Sequence, residues 1–318
     1  MSASDVVTGN TWSDQIADDG AFVRKATRFR ERVSREPGAR HPPQPGRYHL
    51  YVSLACPWAH RTLIARALKG LEDVVSVDVV HPHLTATGWS FDTDFPGTTG
   101  DRVGGHRLLQ QVYRAAVPDY QGTITVPVLW DKQERTIVNN ESAEILRMLN
   151  SEFNAYSRTP QLDLYPPELR EAIDASNDWI YPGINNGVYR CGFARSQVAY
   201  DQAVNELFRG LDRVETILES SDFLCGARLT EADVRLFTTL IRFDAVYHTH
   251  FKCNHRQIAQ YPALHRYLAR LYHMPGVGPT VDLEHIRFHY YHSHRHINPT
   301  GIVPRGPDVL RLLERLGA

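Results

Sequence analysis

The chain is 318 residues long, 42% hydrophobic and 22% charged, which suits two packed domains and excludes a disordered polymer. Its 35 basic and 36 acidic side chains leave a formal charge of -1, so nucleic acid and anionic membrane are not expected as main partners. No apolar run is long enough to cross a bilayer. Residues 1–7 lack the basic-then-apolar order of a secretory signal, so the expected location is cytoplasmic.

Residues 1–46 are polar and end in Pro42, Pro43, Pro45 and Gly46, which reads as an irregular N-terminal arm. Within it Arg24, Lys25 and Arg28 read as the charged face of a helix, solvated or at an interface. Trp12, Phe22 and Phe29 predict that the arm packs rather than floats. Residues 48–54 read as a strand and 57–69 as a helix, with Leu63, Ile64, Ala67 and Leu68 at helical spacing; 74–80 read as a second strand. Strand, helix, strand implies a βαβ unit with a parallel pair. A polar insertion covers 81–122, with a candidate helix at 107–116. Residues 125–130 and 135–138 then read as strands around a turn at 131–134. A helix follows at 141–149, with Glu141 at its start and Arg147 near its end, matching the helix dipole. Beyond a proline-bearing linker at 159–167 the pattern turns helical: 200–218, a segment opened by a Thr230/Asp233 capping box, and 263–272. The expected fold class is therefore α/β followed by all-α. A thioredoxin-like domain spans 47–155, and a helical domain with a C-terminal tail spans 156–318.

The four cysteines, Cys56, Cys191, Cys225 and Cys253, have neither C-x-x-C nor zinc-knuckle spacing, so four free thiols are the default. Cys56 stands apart. It falls between a strand and a helix, with Pro57 at the first helical position, where an N–H would be unpaired anyway. The backbone N–H groups of Trp58 and Ala59 are then expected to point at the sulfur. With the helix dipole, and with His60 and Arg61 nearby, they favour thiolate over thiol. Ala59 occupies the place of a resolving cysteine, so a mixed disulfide on Cys56 needs an external thiol. A small buried capping residue is the other reading of Cys56. Val126 precedes Pro127, which in a thioredoxin-like fold is cis and leaves the Val126 backbone open to an extended peptide. An ordinary edge-strand proline is the alternative. Glu141 and Ser142, at a helix N-terminus, can hold an ammonium and a carboxylate, and plain capping explains them equally well.

The strings YVSLACPWAHR (51–61), TVPVLWD (125–131) and NNESAE (139–144) resemble the glutathionyl-hydroquinone reductases, the Xi class of glutathione transferases. So do NNGVY (185–189), LTEAD (229–233), THFKC (249–253), MPG (274–276) and NPTG (298–301), so that the similarity runs from about Tyr48 to Ile302. The resemblance implies glutathione as co-substrate, no metal, a homodimer and a small-molecule substrate. It also implies a reaction in which the Cys56 thiolate attacks the sulfur of a glutathionyl-hydroquinone and a second glutathione releases oxidised glutathione. Trp89, Val126, Glu141 and Ser142 would bind glutathione. Tyr189, Tyr247 and Tyr290 would bind the aromatic substrate and donate to its oxygens, although each also fits a half-buried helix aromatic. One departure is Thr123, where the family carries an arginine; the guanidinium contact to a glutathione carboxylate is then either missing or supplied elsewhere, with Arg114 and Arg102 as the candidates. Another is Cys191, an extra thiol expected to be inert.

His285, His289, His292, His294 and His296 crowd the C-terminal segment without the partners of a closed metal site, and they read as surface or polar-packing residues. Two rivals share the main features. An omega-like thioltransferase or dehydroascorbate reductase would use the same monothiol cysteine. A non-catalytic binding module would usually have lost it.

Overall fold

The computed structural model describes residues 15–316. They divide into two compact units. One runs from Lys25 to Asp163; the other joins the described residues from Leu164 onward to Gln15–Arg24.

The first unit is built on a buried apolar strand. In β1 (Tyr48–Val52) the side chains of Tyr48, Leu50, Tyr51 and Val52 are all fully buried, so the strand must lie inside a sheet. It pairs in parallel with β2 (Ser76–Val79), Leu50 opposite Val77, and antiparallel with β3 (Val128–Asp131), Leu50 opposite Leu129. β3 in turn pairs antiparallel with β4 (Thr136–Asn139), which gives the order β2-β1-β3-β4. The crossover from β1 to β2 is α1 (Pro57–Leu68), and it packs against α3 (Ser142–Ser151). Gly70 ends α1 at a φ of +60°, where a Cβ would strike the Arg158 side chain, so only glycine fits. β3 begins three residues later than the apolar run suggests, because Pro127 has no N–H for the ladder.

The polar insertion between β2 and α2 (Leu109–Ala116) is held by two carboxylates. Asp78 accepts from Thr99 Oγ1 at 3.2 Å, from the Arg102 backbone N–H at 2.7 Å and from Arg102 Nε at 2.5 Å. Asp101 accepts from the Tyr51 hydroxyl at 3.0 Å and from the N–H groups of Val103, Gly104 and His106.

Arg24, Lys25 and Arg28 do not share a helix. The segment is extended, and the sheet explains why: β4 is an edge strand, and its continuation offers unpaired backbone groups. Phe29 N–H donates to Asn140 Oδ1 and Asn140 N–H donates to the Phe29 carbonyl, both at 3.2 Å, while Arg30 bridges Asn139. Phe29 packs edge-on against Tyr113, and Phe22, in the other unit, packs edge-on against Phe193. Trp12 lies outside the described residues.

The second unit is helical. Its order is α4 (Arg170–Ile180), α5 (Gly187–Phe193), α6 (Gln197–Leu218), α7 (Glu231–Arg242), α8 (His248–His250), α9 (Pro262–His273), α10 (Leu283–Phe288) and α11 (Val309–Glu314). Among the described residues it contributes no strand to the sheet. The long α6 packs on α5 and α9. Among the described residues, π-helical turns interrupt the helices at Tyr181–Asn185, Phe243–Tyr247 and His289–Ser293. At the start of the buried α7, the Asp233 carboxylate accepts from the Thr230 N–H and hydroxyl, the Leu224 N–H and the Tyr267 hydroxyl, all within 2.9 Å. Burial pushes the Asp233 carboxyl upward, and these four donors oppose that push.

Candidate active site

Cys56 occupies the N-cap of α1 in extended conformation, φ -77° and ψ 122°, and its carbonyl receives the His60 N–H at 3.0 Å. The side chain is half-buried. Its sulfur makes no capping hydrogen bond to the helix and instead lies 3.6 Å from the Val126 carbonyl oxygen, positioned to donate its S–H. The expectation that the Trp58 and Ala59 amides hold the sulfur is therefore not met in this rotamer. A protonated thiol is a donor, which suits the carbonyl oxygen. The Val126–Pro127 peptide is cis, and Val126 is buried.

Glu141 is the N-cap of α3. Its carboxylate accepts from the Ala143 N–H at 3.3 Å, and from the arm it accepts the Thr27 hydroxyl at 3.3 Å. Ser142 is buried, and its hydroxyl oxygen accepts from Arg61 Nη1 at 3.4 Å. Arg61 is itself buried, with its guanidinium 4.5 Å from the centre of the Trp58 ring. A guanidinium can only donate, so this contact leaves the Ser142 O–H to serve an acceptor elsewhere. Sequence reading placed Arg61 near Cys56 and missed its contact with Ser142. Trp89 is buried in the loop before α2, where its carbonyl receives the Leu109 N–H at 2.9 Å.

Neither arginine expected to replace the one absent at position 123 is shown to do so. Arg102 is committed to Asp78 on β2, and Arg114 is exposed on the last turn of α2. Beside Gly122 stands Arg28. A methyl group on Gly122 would meet Arg28 Cδ at 3.1 Å, and the Arg28 guanidinium lies 5.8 Å from the centre of the Tyr120 ring. The arm reading hid this residue, because a charged helix face would have pointed it at solvent. Phe29, an aromatic in a polar stretch, was the available signal.

In the second unit the three tyrosines converge. The Tyr290 hydroxyl lies 2.5 Å from that of Tyr189 and 2.9 Å from that of Tyr247. All three residues are buried. Burial pushes the hydroxyls of Tyr247 and Tyr290 well above the usual tyrosine range, so both are neutral donors at neutral pH. Tyr247 and Tyr290 both sit on π-helical turns, a distortion common where helices carry function. Arg24 stacks 4.7 Å from the Tyr189 ring centre and donates to Asn186.

Cys191 and Cys253 are buried, and burial pushes the Cys253 thiol well upward. Of the C-terminal histidines, His285, His289 and His294 are buried and His292 and His296 partly so; His289, His294 and His296 pack against one another as rings, and His294 Nδ1 lies 3.2 Å from His250 Nε2, which is the packing role rather than the surface one. Burial first, then neighbouring histidines, lowers His250 to about 3 and His294 well below the ordinary value. Among the described residues no group of three or more His, Cys, Asp or Glu could hold a metal ion. None of the described helices is long and apolar enough to cross a membrane.

A thioredoxin-like sheet with a cysteine at the head of α1, followed by a helical unit with a buried capping box, defines the glutathione transferase fold. Comparison with known proteins agrees. Residues 55–152 match the glutathione S-transferase N-terminal domain, and 197–270 match its C-terminal domain. The chain is 52% identical to the glutathionyl-hydroquinone reductase YqjG of Escherichia coli over 95% of this chain and 94% of that protein. It is 50% identical to the glutathionyl-hydroquinone reductase PcpF of Sphingobium chlorophenolicum over 95% of each. The crystal structure of glutathione S-transferase Xi from Phanerochaete chrysosporium superposes with a TM-score of 0.91 at 51% identity, covering 94% of this chain and 97% of that one. The glutathione-bound structure of E. coli YqjG gives a TM-score of 0.86, covering 89% and 94%. The chain belongs to the glutathionyl-hydroquinone reductases, the Xi class of the glutathione transferases.

Proposed function

We propose that the protein reduces glutathionyl-hydroquinones to hydroquinones at the expense of glutathione. The observation that carries this reading is the 52% identity, over nearly the full length of both chains, to a protein named for that activity, with Cys56 at the head of α1. The Cys56 thiolate attacks the sulfur of the thioether. The carbon–sulfur bond breaks, the ring carbon takes up a proton, and hydroquinone leaves. Cys56 is left as a mixed disulfide with glutathione. A second glutathione thiolate attacks that disulfide, releasing oxidised glutathione and the Cys56 thiolate. Ala59, in place of a second cysteine, supports this external resolution.

Trp89, Val126, Glu141 and Ser142 hold glutathione in this reading. Loss of the Cys56 proton removes the donor that faces the Val126 carbonyl. The thiolate is then repelled by that oxygen and drawn toward the amides of α1. The freed carbonyl can accept a backbone N–H of glutathione, as an added strand would supply. Glu141 suits the γ-glutamyl ammonium, and Ser142, polarised by Arg61, suits the carboxylate beside it. Tyr189, Tyr247 and Tyr290 hold the hydroquinone and donate to its oxygens. The protein acts as a homodimer in the cytoplasm, where abundant reduced glutathione drives the second step.

Relatives named omega-like glutathione transferases, at 49% identity in Schizosaccharomyces pombe, favour thioltransferase activity as a second reading. The tyrosine cluster separates the two. Tyr247→Phe is expected to slow menadiol release from glutathionyl-menadiol about tenfold or more while leaving disulfide reduction near wild type, since one hydrogen bond to a charged oxygen is lost. Equal losses on both substrates would overturn the hydroquinone assignment.

A further inference from the structure

We infer that Arg28, from the N-terminal arm, binds the glycyl carboxylate of glutathione. The inference rests on the reading of Glu141 and Ser142 as the γ-glutamyl site. Glutathione carries two carboxylates and one ammonium at neutral pH. Glu141 matches the ammonium, and Ser142 with Arg61 and the head of α3 matches one carboxylate. The second carboxylate still needs a cation. Arg102 is neutralised by Asp78, and Arg30 is neutralised by Glu144. Arg61 is buried against Ser142 and Trp58.

Arg28 is different on three counts. It is exposed, and no carboxylate among the described residues pairs with it. It is held in place: Thr27 before it donates to Glu141, and Phe29 after it exchanges hydrogen bonds with Asn140. Its stem crosses Gly122 and its guanidinium rests against Tyr120, on the segment leading into Val126. The arm thus ties a guanidinium with no acidic partner among the described residues to the same backbone that offers Glu141. A guanidinium is also the side chain best shaped to take a carboxylate by two parallel hydrogen bonds.

Binding of glutathione and of γ-glutamylcysteine, which lacks the glycyl carboxylate, is measured by calorimetry on wild type, Arg28→Ala and Arg28→Lys. Arg28→Ala is expected to weaken glutathione about tenfold and γ-glutamylcysteine less than twofold, and Arg28→Lys to recover most of the loss. Equal weakening of both ligands would mean a merely structural arm, and no weakening of glutathione would mean no contact; either overturns the inference. The comparison needs no turnover. A failure of the reductase reading shows separately, as absent menadiol release by a wild-type protein that still binds glutathione.

Discussion

Cys56 differs from the other thiols by position rather than by residue type. It is half-buried at a helix head, whereas Cys253 is fully enclosed and both Cys253 and Cys225 are pushed upward by burial. Iodoacetamide at neutral pH is therefore expected to label Cys56 first; labelling of Cys225 at an equal rate would contradict an activated Cys56. Cys56→Ser is expected to lower turnover by about a thousandfold or more, because a hydroxyl has no comparable anionic form near pH 7. The histidine stack makes a second prediction at this scale. His250, at about 3, and His294, well below the usual value, are neutral when folded and titrate near 6.5 when unfolded. The unfolded chain binds the extra protons, so this contribution is intact above pH 6.5 and is lost progressively as pH falls toward about 3. The slope approaches about 1.4 kcal/mol per pH unit for each ring. Thermal unfolding at pH 7 and pH 5 should show the drop, and His250→Phe should flatten it.

At the scale of elements, the buried capping box of α7 is the most exposed to a single change in sequence. Thr230→Ala removes a donor to a buried carboxylate and the cap of a 12-residue helix, at an expected cost of about 1–2 kcal/mol, readable as a lowered urea midpoint. That box was legible in the sequence because its geometry is local: four residues carry the whole motif. The βαβ unit and α3 were legible for the same reason, through short periodic runs. The arm was not. Its conformation is set by the open edge of β4, more than 100 residues away, and a run of arginines carries no periodic signal for an edge strand. The rotamer of Cys56 was equally hidden, because the Val126 carbonyl competes for its proton from 70 residues away. The tyrosine cluster was reached only through family resemblance; nothing local joins Tyr189 to Tyr290, yet their hydroxyls meet at 2.5 Å.

At the scale of the whole molecule, the proposed function is that of a glutathione-dependent enzyme, and the proposed assembly is a homodimer. Light scattering during size-exclusion chromatography should report about twice the 36.2 kDa of one chain, and a mass of one chain would refute the dimer. The transfer of glutathione from a thioether to Cys56 has a more direct test. Wild-type protein is incubated with glutathionyl-menadiol in the absence of free glutathione and analysed by peptide mass spectrometry. One glutathione on Cys56 and an equal amount of free menadiol are expected. Menadiol released without an adduct on Cys56, or by Cys56→Ser at the wild-type rate, would contradict it.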